Sequence, residues 1–155
     1  MIAKKSDLIL TKFSVINSHI TFIPDLNDAE EIIPANYFDQ YLVDLDFNVE
    51  YNDEHDMFRI VVSVRINDHN SKDENIPGYS IHVVGIAFFK FDEKTELNNE
   101  QKLQLLSTSG LSICITNLRA FIANHTTSFP WGPYSFYAID VQDLLASKQN
   151  QTITE

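Results

Sequence analysis

Apolar and polar positions alternate along the first part of the chain, and beyond Asn99 the apolar positions recur at three- and four-residue spacing. Lys12 to Ile23 predicts a strand, with Phe13 and Val15 on one parity and Ile20 and Phe22 on the other. The change falls across Asn17-Ser18, which predicts a bulge or a switch of face. Pro24 to Pro34, with Asp25, Asn27 and Asp28, reads as a polar connection. Tyr41, Val43, Leu45, Phe47 and Val49 then alternate with Leu42, Asp44, Asp46, Asn48 and Glu50, so the second strand has one apolar and one largely acidic face. Asn52 to Asp56 is a turn, and Phe58 to Ile66 returns as a β-branched strand, making a hairpin. After a polar connection from Asp68 to Gly78, Tyr79 to Phe91 predicts a fourth strand. Its near-continuous apolar character implies that both faces are covered, and Gly85 in its middle marks a bulge or a close backbone approach.

Asn99 to Ser107 predicts a short helix, punctuated by Ser107-Thr-Ser-Gly110. The main helix follows from Leu111 to about His125, with Leu111, Cys114, Ile115, Leu118, Phe121 and Ile122 on one stripe. Asp140 is the N-cap of a terminal helix carrying Leu144 and Leu145, with Asp143 three positions on. Consecutive strands followed by helices give an α+β class: a four-stranded antiparallel sheet, then a long helix, a crossover loop and a short C-terminal helix. Residues 1–155 form one expected domain, with a core from about 8 to 147 and a flexible tail over 148–155.

Composition changes this picture in two ways. The net charge is −11, and from Phe13 to Phe58 there is no Lys or Arg while eleven of the 22 acids lie there. Such a surface repels nucleic acid and anionic lipid and suits solubility or a basic partner. The N-terminus lacks a signal peptide's apolar core, no uninterrupted apolar run is long enough to span a bilayer, and the single cysteine, Cys114, fits a reducing compartment. A cytoplasmic location without membrane insertion is expected.

Candidate chemistry is sparse. His19, His55, His69, His82 and His125 are scattered without metal-ligand spacing, so neither a metal nor another cofactor is expected. Asp44 and Asp46 could pair as carboxylates, but Asn48 and Glu50 continue the row as a solvated face. Cys114 lies on the apolar stripe with no basic neighbour to activate it. No nucleophile elbow, phosphate loop or dinucleotide fingerprint is present, and the reading is of a non-enzyme. What remains is surface. Phe129, Trp131, Tyr134, Phe136 and Tyr137 crowd five aromatics into nine residues around Pro130, Gly132 and Pro133. That segment is neither regular helix nor central strand, so it is either a lid on the core or an apolar binding surface. With the Tyr41 to Phe47 face it could bind a partner subunit or extended unfolded polypeptide.

Several short motifs stand in order along the chain: Ile20-Thr-Phe, Val43-Asp-Leu-Asp, Phe58-Arg-Ile-Val-Val-Ser-Val-Arg-Ile, Gly85 to Phe91, Leu118-Arg119, and Ser128-Phe-Pro leading to Ile139-Asp-Val-Gln-Asp-Leu-Leu. In order and spacing, from about Phe13 to Leu145, the chain resembles the SecB-type protein-export chaperones, as a divergent member. The resemblance implies an ATP-independent holdase that keeps preproteins or a dedicated client unfolded. Its groove would be lined by Tyr41, Val43, Leu45 and Phe47 and by Phe129, Trp131, Tyr134, Phe136 and Tyr137. It also implies a homodimer or tetramer, with Ile20 and Phe22 of strand one and Leu111, Ile115, Leu118 and Ile122 of the main helix at the interfaces. The family acids that help bind the translocation ATPase SecA align with His19, Ile23 and His82. None of these is acidic, which puts that partner in question and leaves open a chaperone for one client, as in relatives that protect an antitoxin. The alternative is a structural or adaptor subunit whose aromatic patch is a fixed oligomer interface.

Overall fold

The structure, a computed structural model, describes residues 2–24, 36–52, 56–68 and 76–153. Most of the predicted polar connections, the tip of the hairpin turn, and His55 and His69 lie outside these residues. Four strands, β1 (Leu8–Ile23), β2 (Val43–Asn52), β3 (Met57–Ile66) and β4 (Gly78–Phe91), form an antiparallel sheet in the order β1-β4-β3-β2. Helices α1 (Asn99–Leu105), α2 (Leu111–Thr126) and α3 (Val141–Ile153) follow, and a 3₁₀ turn over Tyr37–Gln40 precedes β2.

β1 begins four residues before its predicted start and shifts register twice, between Leu10 and Lys12 and between Val15 and Asn17. The second shift leaves Ile16 out of the pairing and 59% exposed. Phe13 and Val15 before it, and Ile20 and Phe22 after it, therefore all align with the inward residues of β4 despite their opposite parity. β2 and β3 pair without a break from Val43↔Ile66 to Asn52↔Met57, as two alternating antiparallel strands should.

The inward side of β4 is completely buried at Tyr79, Ile81, Val83, Ala87 and Phe89, beneath α2. Gly85 permits that approach: a Cβ there would lie 2.9 Å from both Leu118 Cδ2 and Phe13 Cζ. On the opposite face Val84, Ile86 and Phe88 are only half-buried, so the two-sided cover predicted for β4 is complete on the helix side alone.

Asn98 starts α1 with a capping box, its Oδ1 accepting from Gln101 N at 2.9 Å and its own N–H donating to Gln101 Oε1 at 3.0 Å. Ser107 to Gly110 does not stop the helix. Leu106–Gly110 form a π-helical turn that carries α1 directly into α2. Thr108, Ser112 and Thr116 each return a hydroxyl hydrogen bond of 2.8 Å to the carbonyl four residues back, so these residues are satisfied inside the helix. The continuous helix, Asn99–Thr126, passes the length and composition test for a membrane span. Its apolar stripe is nevertheless spent on the sheet, with Leu111, Cys114, Ile115, Leu118 and Ile122 buried there. α3 opens as predicted, Asp140 Oδ1 accepting from Gln142 N at 2.9 Å and Asp143 N at 3.2 Å. It continues beyond Ser147 to Ile153, where a flexible tail was expected, because no Gly or Pro interrupts this polar stretch.

Candidate functional site: an aromatic cluster and its open lip

The crossover segment between α2 and α3 is shaped by two turns and a hook. Phe129 N donates to Thr126 O and Gly132 N to Phe129 O, both at 3.0 Å, and Gly132 takes the left-handed φ of +72°. The fully buried Thr126 hydroxyl donates to Ile122 O at 2.9 Å and accepts from Tyr134 N at 2.7 Å. One side chain thus closes the helix end and pulls the segment back over the sheet.

Phe129, Trp131 and Tyr134 then enter a cluster of eight rings with Phe22, Tyr37, Phe38, Tyr41 and Tyr79. Trp131 stands edge-on to Tyr37 at 4.9 Å and to Phe22 at 5.2 Å between centroids. Tyr134 lies 5.0 Å from Phe38, 5.6 Å from Tyr41 and 5.8 Å from Tyr79. The Tyr37, Tyr41 and Tyr79 hydroxyls of the cluster are paired. Tyr41 Oη accepts from Tyr79 N at 2.8 Å and donates to Pro77 O at 3.1 Å, and Tyr37 Oη donates to the same carbonyl at 3.1 Å. Tyr79 Oη donates to Gly132 O at 2.5 Å, tying β4 to the crossover segment.

Burial raises the phenols of Tyr41, Tyr79 and Tyr134 above their ordinary range. For Tyr134 the neighbouring Tyr41 and Tyr137 add to the effect. These hydroxyls stay protonated, and those of Tyr41 and Tyr79 serve as structural donors. Cys114 is held at about 12 by burial, too high for a nucleophilic thiolate. Among the described residues no three His, Cys, Asp or Glu side chains come together in a metal-ligating group.

The residues nominated from sequence separate into distinct environments. Tyr41 stands outside β2: the 3₁₀ turn delivers it to the ring cluster, where it is 2% exposed, and the ladder begins only at Val43. Tyr134 and Phe136 are buried, the latter beneath the Arg119 guanidinium at 5.7 Å, and Phe129 and Trp131 are half-buried in the cluster. Tyr137 turns outward and is 54% exposed. On β2, Val43 and Leu45 are half-buried, whereas Phe47 is buried with Lys148 Nζ of α3 at 5.9 Å over its ring. The same ammonium pairs with Asp46 at 2.5 Å, fastening α3 to the strand edge.

Of the nominated interface residues, Ile20 and Phe22 are half-buried on edge strand β1. Leu111, Leu118 and Ile122 are fully buried against the sheet of their own protomer and Ile115 is 5% exposed. These four are therefore not open to a second copy. The helix surface that remains outward carries Ser112, Thr116 and Ala120. His19 and His82 face each other across β1 and β4, and their row continues to Arg65 and Asp44, while Ile23 opposes Gly78.

Four members of the ring cluster were not singled out from the sequence: Phe22 as a ring partner, Tyr37, Phe38 and Tyr79. The Tyr37-Phe38 pair stood out only by its position just before an acidic strand. Gly78 offered a clearer signal. Its φ is +106°, and a Cβ would fall 1.9 Å from Tyr41 Oη and 2.4 Å from the Trp131 ring.

No family model matches the chain, and no curated protein matches it in sequence. Among solved structures it resembles the SecB-like chaperone Rv1957 of Mycobacterium tuberculosis, determined in complex with a ChAD peptide from the HigA1 antitoxin. That match has a TM-score of 0.53 at 13% identity and covers 86% of this chain and 91% of the other. A protein of unknown function from Streptococcus agalactiae matches at a TM-score of 0.37 and 11% identity, over 84% of this chain and 97% of that one. The four-stranded antiparallel sheet, long helix and C-terminal helix of this chain are thus a SecB-like α+β fold.

Proposed function

We propose that this chain is an ATP-independent, non-enzymatic chaperone that holds extended polypeptide on the apolar side of β2, beside the crossover segment. The observation that carries this reading is an apolar lip left open next to a closed aromatic cluster. Tyr137 is 54% exposed. Tyr137 stands three residues beyond Tyr134, which packs on Tyr41, and Tyr41 shares its face of the chain with Val43 and Leu45, while Leu42 alternates to the acidic face. Val43 and Leu45 extend the surface along the strand. Apolar area with few polar groups recognises apolar side chains of an extended chain without regard to sequence. A SecB-like fold supports the reading, as does the antitoxin peptide bound to the mycobacterial chaperone of that fold.

The buried rings refine which residues would touch a client. Trp131, Tyr134 and Phe136 act as the rigid support, and contact falls to Val43, Leu45 and Tyr137 with the half-buried edges of Phe129 and Trp131. In this reading residues 1–155 work as one cytoplasmic domain that assembles as a homodimer or tetramer. Edge strand β1, with Ile20 and Phe22, and the outward Ser112, Thr116 and Ala120 side of α2 would supply the contacts. SecA is not part of the proposal, because the outer row around His19 and His82 runs on to Arg65 and offers no acidic patch until Asp44.

The deciding measurement is suppression of aggregation of a urea-diluted client without nucleotide. Wild-type protein should suppress it stoichiometrically. Tyr137→Asp should weaken suppression by about tenfold or more while leaving the thermal midpoint near that of wild type. If wild-type protein gives no suppression, the chaperone reading fails.

A further inference from the structure

A second aromatic site lies at the opposite end of the sheet, on the same side as the helices. Tyr51 and Phe58 are direct cross-strand partners with centroids 4.8 Å apart, and Phe91 meets Phe58 edge-on at 5.6 Å. Leu103 of α1, 53% exposed, stands over this end of the sheet. Together these side chains enclose an open cavity of about 340 Å³, at the lower end of the size range of ligand pockets. The first aromatic cluster is filled by its own rings. This one has room.

Two charges line the cavity, and they differ in what they already do. The Asp56 carboxylate accepts from Tyr51 Oη at 2.9 Å. Lys102 Nζ lies 5.4 Å over the Phe91 ring, and among the described residues no carboxylate comes within salt-bridge distance of it. A positive charge held at a low-dielectric aromatic wall favours a ligand that brings both a ring and an anion. Lys102 is also one of only 11 cations in a chain of net charge −11, so the preference is local.

We propose that this cavity is an anchoring pocket for an aromatic side chain of a client polypeptide that carries an acidic residue directly beside it. The ring sits among Tyr51, Phe58, Phe91 and Leu103, and the neighbouring carboxylate pairs with Lys102. The proposal rests on the chaperone reading and deepens it. Eight residue steps of β2, from Val43 to Tyr51, or roughly 27 Å of extended chain, separate the Tyr137 lip from this cavity, with Phe47 buried beneath Lys148 of α3 between them. A client long enough to pass outside α3 would reach both sites, which would raise avidity without new contacts elsewhere.

The test uses the full chain and a short fluorescent Ser-Phe-Asp-Ser peptide with blocked ends, followed by anisotropy and by amide shifts in ¹⁵N-labelled protein. The peptide should bind saturably and move the amides of Tyr51, Phe58 and Leu103. Leu103→Asp, at an exposed site, should weaken it by about tenfold or more. Lys102→Met should abolish the preference for Asp over Asn beside the Phe. Absence of binding overturns the proposal, as does binding that responds to Tyr137→Ala and not to Leu103→Asp, which would assign the peptide to the lip and leave the chaperone reading standing. A change of oligomeric mass in Leu103→Asp without peptide binding would give the pocket to a second copy, and also overturns it. Peptide binding here in a protein that fails to suppress aggregation would retain the pocket and remove the chaperone reading.

Discussion

The Tyr41 hydroxyl accepts a 2.8 Å hydrogen bond from the backbone N–H of Tyr79, joining the 3₁₀ turn to the start of β4 across 38 residues of sequence. Tyr41→Phe keeps the ring contacts and deletes this acceptor, leaving a buried N–H without a partner. The expected cost is about 1–3 kcal/mol. It is read as a lower urea midpoint with an unchanged m-value; a variant as stable as wild type would show that water replaces the phenol.

Gly78 should tolerate no side chain. Its φ of +106° disfavours any L-residue, and a Cβ would collide with Tyr41 Oη and the Trp131 ring. Gly78→Ala should cost about 3 kcal/mol or more. Trp131 is the one tryptophan, so a red-shifted emission in the folded variant would report displacement of this ring specifically.

Thr126 tests whether the crossover segment is held by its hook or by its rings. Thr126→Val is nearly isosteric but removes the acceptor of Tyr134 N, for an expected loss of about 1–3 kcal/mol. Thr126→Ser restores the oxygen and should recover most of the loss in thermal midpoint. Equal midpoints for the Val and Ser variants would assign the segment's anchoring to aromatic packing alone.

Alkaline pH should unfold the protein progressively. The folded state holds the Cys114 proton to about 12 against an ordinary 9.0, and holds the Tyr41 and Tyr134 protons above their ordinary 10.0. Between the unfolded and folded values the native state binds more protons, so stability is complete below about pH 9 and falls as pH rises. Labelling of Cys114 by an aromatic disulfide should track global unfolding over this range. Fast labelling of the native protein at pH 8 would contradict the burial.

Much of this architecture is written in local pattern. The alternation in β2 and β3 marks the hairpin because a strand repeats every two residues, and the Leu111 to Ile122 stripe marks α2 because a helix repeats every 3.6 residues. The Asp140 cap needs only its own first turn. Ser107 to Gly110 misled for the same local reason. Taken alone these residues read as a stop, whereas in the fold Thr108 bonds the preceding turn and Gly110 lies close to Ile60 within one continuous helix.

The sequence by itself determined the strands, the main helix, the class of the fold and the density of aromatics after the helix. Only the tertiary structure decided what those aromatics do. Trp131 and Tyr134 meet Tyr37, Phe38 and Tyr41, whose separation along the chain no periodicity encodes, and they bury one another while Tyr137 turns out. The same holds for the Tyr51, Phe58 and Phe91 pocket, where register and a helix passing overhead, not composition, leave space between rings. Burial is set by which distant surfaces meet, and a run of residues fixes only how strongly each would gain from meeting one.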